Sequence, residues 1–166
     1  GLDSTLWIAE IAPERDSRVY VADGKLWLDT YGGVTVWLNK VLDGNFAIEY
    51  ERTVVVDTGA NDRLSDLNQF WMASDPRHEK LFSRSGVFES YDSLSLYYVG
   101  MGGNTNTTTR FRKYVGDGTK PLLYEHDRKL EANHTYHVRT EVVDGVTTFP
   151  VDGQELFRHN DPDPLT

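Results

Sequence analysis

Residues 18–28 read RVYVADGKLWL. Two β-rich runs flank Asp23-Gly24, a dipeptide that supplies the positive φ angles of a type I′ turn, so the stretch predicts a hairpin. The same signal recurs at Asp43-Gly44, Asp117-Gly118, Asp144-Gly145 and Asp152-Gly153. Between these turns lie GVTVWLNKVL, NFAIEYERTVVV, LNQFWMAS, SLSLYYVGM, TTTRFRKYV, TYHVRTEVV and VTTFPVD. Each is rich in β-branched or aromatic residues and close to strand length. No long stretch carries apolar residues at helical spacing, and only DPRHEKLFSR, residues 75–84, is compatible with a short helical turn. Many short strands separated by turn signals predict an all-β fold, an antiparallel two-sheet β-sandwich or jelly roll. With no internal repeat or low-complexity linker, the expectation is one domain over residues 1–166.

Composition narrows the function classes. A chain of 166 residues buries about 70% of its unfolded surface and needs no covalent staples. It has no cysteine, which excludes disulfides, thiolate metal sites and a cysteine nucleophile. Against 26 acidic residues stand 17 basic ones, and the net charge of −9 argues against nucleic acid and anionic membrane surfaces as partners. No apolar run approaches the ~20 residues of a membrane span. No signal peptide precedes Gly1, which suits a cytosolic chain, a mature exported form or a fragment. Aromatics reach 12%, with nine Tyr and four Trp, a composition that serves both strands and sugar stacking.

Period 2 divides each strand into a buried and an open side. Phe46, Ile48 and Tyr50 are expected inward, leaving Ala47, Glu49 and Glu51 outward. Asn68, Phe70 and Met72 are expected inward, with Gln69 and Trp71 outward. Phe111 goes inward while Arg110, Arg112 and Tyr114 go outward. Val34, Val36 and Leu38 go inward, sending Thr35, Trp37 and Asn39 outward, and Tyr98 joins them. If these strands share one sheet, its open face carries Trp37, Asn39, Glu49, Glu51, Gln69, Trp71, Tyr98, Arg110, Arg112 and Tyr114. Such a face suits a polysaccharide: flat aromatics cover the apolar C–H faces of a sugar ring, and amide, carboxylate and guanidinium groups bind its hydroxyl rim. The bland alternative is a solvated face of cross-strand ion pairs.

DGKLWLDT, NQFWMASDP, YDSLSLYYVGMGGNTNTTTRFRKY and VDGQELFRHNDPDPLT resemble an uncharacterised domain family of secreted proteins in bacterial polysaccharide-utilisation systems, chiefly of Bacteroidota. The resemblance runs over almost the whole chain. It implies a concanavalin-A-like jelly roll, a fold shared by glucanases, lectins and several polysaccharide lyases, so activity follows only by analogy. It also implies a secreted, periplasmic or cell-surface location. One more strand is expected after DPDPLT; the sequence stops at Thr166, so either that strand is lacking or the sheet closes differently.

Three chemistries fit the expected face. Glycoside hydrolysis needs two carboxyl groups, for which Glu49 and Glu51 are the candidates. β-Elimination on a uronic-acid polymer needs the substrate carboxylate neutralised, by Arg110 and Arg112 with Asn39 or Gln69. It also needs a base, for which Tyr114, Tyr98 or His137 stands ready. Binding without cleavage needs only a stacking platform of Trp37, Trp71 and Tyr98. A polysaccharide-cleaving enzyme, with Glu49, Glu51, Arg112 and Tyr114 as its catalytic candidates, is preferred over a lectin-like module. No cofactor is expected, although DTGANDRLSD (Asp57 to Asp66) offers Asp57, Asn61, Asp62 and Asp66 to a structural calcium ion, without the spacing of an EF-hand. The histidines are spaced too irregularly for zinc, and GMGGN (Gly100 to Asn104) reads as a bend or a close backbone approach beside the groove.

Overall fold

A computed structural model describes residues 2–77 and 80–165. Its strands are β1 (Trp7–Ile11), β2 (Arg18–Ala22), β3 (Lys25–Asp29), β4 (Val34–Leu38), β5 (Phe46–Thr53), β6 (Leu67–Ser74), β7 (Ser95–Gly102), β8 (Thr108–Val115), β9 (Leu122–His126), β10 (Thr135–Val143), β11 (Val146–Val151) and β12 (Gln154–Asn160). They form two four-stranded sheets, in the orders β12-β11-β10-β5 and β6-β7-β8-β9, plus the two-stranded ladders β1-β4 and β2-β3. Every ladder is antiparallel. The two large sheets pack as a β-sandwich, consistent with a jelly roll. His78 and Glu79 of the expected helical turn lie outside the described residues; the helical geometry downstream of it is a short 3-10 turn at Phe88–Tyr91. Among the described residues no helix is long and apolar enough to cross a membrane.

Local chemistry explains the hairpins. Asp23-Gly24, Asp144-Gly145 and Asp152-Gly153 all have positive φ at both residues, and they join β2 to β3, β10 to β11 and β11 to β12. Asp43-Gly44 and Asp117-Gly118 have positive φ at glycine only and lie in connections rather than tight hairpins. Between the sheets, Tyr136, Val138, Val142, Phe149, Val151 and Phe157 meet Trp71, Tyr97, Val99, Met101 and Phe111.

Strand β6 departs from the expected phase. Trp71 is 3% exposed within the inter-sheet core, its ring 5.7 Å from Tyr97 and 5.5 Å from Phe111. Gln69 is buried there too: it accepts from Tyr50 Oη at 2.7 Å and donates to Thr140 Oγ1 at 2.8 Å. Asn68 and Phe70 therefore face outward. Met72 explains how the strand recovers. It has φ of 52°, the β6–β7 register shifts between Trp71 and Ser74, and this bulge lets Met72 join the inner core while Ala73 turns outward.

A third layer lies on the outer face of β6-β7-β8-β9. Ile8 of β1, Trp37 of β4 and Leu81, Phe82, Tyr91 and Leu94 of the 75–94 segment pack on Phe70, Leu96, Tyr98 and Tyr114. Trp37 lies 5.9 Å from Phe70 and 5.7 Å from Phe82, ring to ring. Buried polar groups fasten this layer. Glu10 accepts from Trp37 Nε1 at 2.6 Å, from Tyr91 Oη at 3.1 Å and from the Arg84 main-chain N–H. Arg84 in turn binds Asp75 at 2.6 Å, Ser93 Oγ and the Ser90 carbonyl. The β4 phase is accordingly the reverse of the expected one: Trp37 points at the sandwich, and Leu38 is exposed.

Candidate functional site

The expected open face is divided by the fold. Glu49 and Glu51 lie on β5, and β5 pairs with β10, not with β8. They face solvent on the outer side of one sheet, whereas Arg110, Arg112, Tyr98 and Tyr114 occupy the outer side of the other. Gln69 and Trp71 are sealed between the sheets. Trp37 meets the Tyr98 face from above, as part of its cover. Asn39 follows β4 and donates to the Thr5 carbonyl at 3.2 Å.

Glu49 is held in a surface network. It receives His137 Nε2 at 2.6 Å and Arg139 Nη1 at 2.6 Å, and Arg139 also binds Glu141 at 2.7 Å. The hydrogen bond from His137, with help from Arg139, holds the Glu49 carboxyl below its usual range. Glu51 stands opposite His137 in the ladder and is exposed. In the Asp57–Asp66 loop, Asp62 accepts the main-chain N–H groups of Asp57 and Gly59, and Asn61 donates to Asp29 and to the Asp16 carbonyl. Among the described residues no three His, Asp or Glu side chains gather as metal ligands would.

The outer face of β6-β7-β8-β9 is covered at one end only. At the other, the ladders align Asn68, Gly100, Arg110 and Glu125 in one row across all four strands. Arg110 Nε binds Glu125 Oε1 at 2.8 Å. Gly100 is the floor: a Cβ there would stand 2.1 Å from Tyr98 Oη and 2.8 Å from Asn68 Oδ1. Its absence lets the Tyr98 phenol lie along the strand and donate to Asn68 Oδ1 at 3.1 Å. The next row places Phe70, Tyr98, Arg112 and Leu122 side by side.

Phe88 and Lys120 wall this trough on the covered side. The Phe88 ring lies 6.1 Å from that of Tyr98 and is 37% exposed; Lys120 Nζ stands 5.4 Å above it. Lys120 also pairs with Asp92 at 3.4 Å and offers its carbonyl to Arg112 Nη1 at 2.6 Å. Glu125 also borders an open cleft of about 340 Å³ between the Thr107–Thr109 stretch and His126, Asp127 and Lys129. Burial raises the pKa of Tyr98, with Asp66 adding to it, and burial likewise raises that of Tyr114, which is 1% exposed. Asn68, Phe88, Lys120 and Glu125 were not among the expected site residues. Asn68 was hidden by the inverted phase, Phe88 and Lys120 sit in segments without strand pattern, and only the glycines of GMGGN signalled a close approach.

A family model described as "Domain of unknown function (DUF6250)" matches residues 28–166. No curated protein matches the chain. Among solved structures, the carbohydrate-binding module CBM66 from Bacillus subtilis is similar in fold, with a TM-score of 0.60, 14% sequence identity, and 93% of this chain and 79% of that chain covered.

Proposed function

We propose that this chain, which belongs to the DUF6250 family, is a non-catalytic carbohydrate-binding domain that holds polysaccharide in the trough on the outer face of β6-β7-β8-β9. The observation that carries this reading is the row Asn68–Arg110–Glu125, aligned by the ladders at the uncovered end of the sheet, with the partly exposed Phe88 ring against Tyr98. Amide, guanidinium and carboxylate groups in a row hydrogen-bond sugar hydroxyls in pairs, and an aromatic ring covers a sugar's C–H face. The likeness to a carbohydrate-binding module supports the same use of the fold. A polysaccharide ligand suits a domain that works outside the cytoplasm.

Cleavage draws less support from the same geometry. Glu49 and Glu51 stand across the sandwich from the arginines, and the lowered pKa of Glu49 unsuits it to donate a proton at neutral pH. Tyr98 and Tyr114 are buried phenols with raised pKa values, which keeps them protonated at neutral pH and so unavailable as bases.

The test is electrophoresis through gels containing neutral or acidic polysaccharides, with assays for reducing ends and for the ultraviolet absorbance of unsaturated uronate. Retardation by at least one polymer without either product is expected. Asn68→Ala should weaken that retention about tenfold, as loss of a hydrogen-bonding contact does, and, because it also removes the acceptor of the Tyr98 hydroxyl, lower Tm by a few degrees while leaving the domain folded. Product formation, or undiminished retention in Asn68→Ala, would overturn the reading.

A further inference from the structure

Resting on the trough as a glycan site, we infer that its ligand carries an anionic group, a carboxylate or a sulfate ester, held by the Arg112 guanidinium. The cations around Arg112 each have a carboxylate partner. Glu125 takes Arg110 at 2.8 Å, Asp92 takes Lys120 at 3.4 Å, and Asp66 accepts from Asn68 Nδ2 at 3.1 Å and from Ser65 Oγ. Arg112 differs from them. Among the described residues no carboxylate lies within ion-pair distance of it, and its hydrogen bond runs to the Lys120 carbonyl at 2.6 Å. In a chain of net charge −9, Arg112 is a half-buried guanidinium without a counter-ion on an outer face; Arg52, which also lacks one, is instead turned onto the Leu67 carbonyl and the Met101 sulfur of the inter-sheet core.

A guanidinium has five N–H donors in a rigid plane. The carbonyl engages one of them and fixes the plane, and the remaining donors are free to bind a carboxylate or sulfate oxygen pair. Partial burial raises the cost of leaving such a charge unmatched, and an anionic ligand removes that cost. The geometry also supplies the rest of a charged sugar's needs. Phe88 presents its ring beside Tyr98, the register neighbour of Arg112, and Lys120 Nζ, paired with Asp92, lies over that ring. The acidity of the whole chain is no obstacle at contact range. At physiological salt, charges more than about 8 Å apart are largely screened, whereas a hydrogen-bonded pair is not.

The experiment compares matched polymers in solution binding measurements: polygalacturonate against its carboxyl-reduced counterpart, and dextran sulfate against dextran. At least one charged member should bind about tenfold or more tightly than its neutral partner, the gain typical of a charge-assisted pair. The two arms distinguish carboxylate from sulfate. In Arg112→Gln that ratio should collapse toward one, and in Arg112→Lys, which keeps the charge but not the planar fork, it should fall to an intermediate value. Equal binding of charged and neutral polymers overturns the inference while leaving the glycan reading intact. A preference that persists in Arg112→Gln overturns it too. Failure of every polymer to bind overturns both.

Discussion

The two outer faces of the sandwich begin from the same alternating sequence pattern and end differently. On β5 and β10 the outward residues Glu49, His137, Arg139 and Glu141 stay in water and satisfy one another. On β6, β7 and β8 the outward residues Phe70, Leu96, Tyr98 and Tyr114 are roofed by β1, β4 and the 75–94 segment, and only the end bearing Asn68, Arg110 and Arg112 is left open. The difference lies in what the outward side chains can give. Aromatic rings reward a cover by roughly 1.5–3 kcal/mol each when buried, whereas a paired surface network gains little from being covered and loses hydration. The proposed trough lies where the roof stops, because there aromatic edge and polar row meet.

The most severe way to break this contrast is to unfasten the roof. Glu10→Ala would leave the Trp37 indole N–H, the Tyr91 hydroxyl and the Arg84 amide buried without their acceptor. Stranding three donors costs about 3–5 kcal/mol, a fall in Tm of roughly 10 °C for a chain this size. If the roof is a separate layer, Trp37 emission should shift to the red before the far-ultraviolet dichroism of the sheets is lost. A single coincident transition would mean that roof and sandwich form one cooperative unit.

A milder change sharpens the contrast at the roof's margin. Gly100→Ala sets a methyl group 2.1 Å from Tyr98 Oη, and Tyr98 cannot swing freely because its ring packs on Phe70, Phe88 and Tyr114. Overpacking of this kind costs about 1–3 kcal/mol, so Tm should drop by a few degrees and polysaccharide retention should weaken with it. Unchanged retention in this variant would move the ligand away from the Gly100 floor.

Much of the fold was legible because its signals are local. Asp23-Gly24, Asp144-Gly145 and Asp152-Gly153 specify their turns through backbone sterics alone, and Phe46, Ile48, Tyr50 and Phe111 face the core as period 2 requires. The candidate site was less legible because its determinants are not local. Phe70-Trp71-Met72 is apolar at three consecutive positions, so no polar face marks its phase, and the Met72 bulge breaks the period outright. Whether β5 lies beside β8 or β10 depends on pairing between residues far apart in the chain, and no alternation within either strand encodes that choice. A roof is likewise invisible to alternation: Tyr98 and Tyr114 point away from the sandwich as expected, yet are buried by another layer.

The smallest expected effect belongs to the bare face. Glu49 is a solvent-exposed surface residue, so the network with His137 and Arg139 should add little stability, and Glu49→Gln should move Tm by no more than about a degree at neutral pH. The pH dependence has a definite sign. Because the folded Glu49 carboxyl titrates below its unfolded value, its contribution is complete above the ordinary glutamate pKa of about 4.3 and fades as pH falls through the lower folded value. The difference in Tm between wild type and Glu49→Gln should therefore persist down to about pH 4.3 and shrink only below it, and it should also shrink with added salt. A difference that grows toward low pH would mean the carboxyl is preferentially protonated in the folded state, and the bare face would then resemble the roofed one in burying its polar groups.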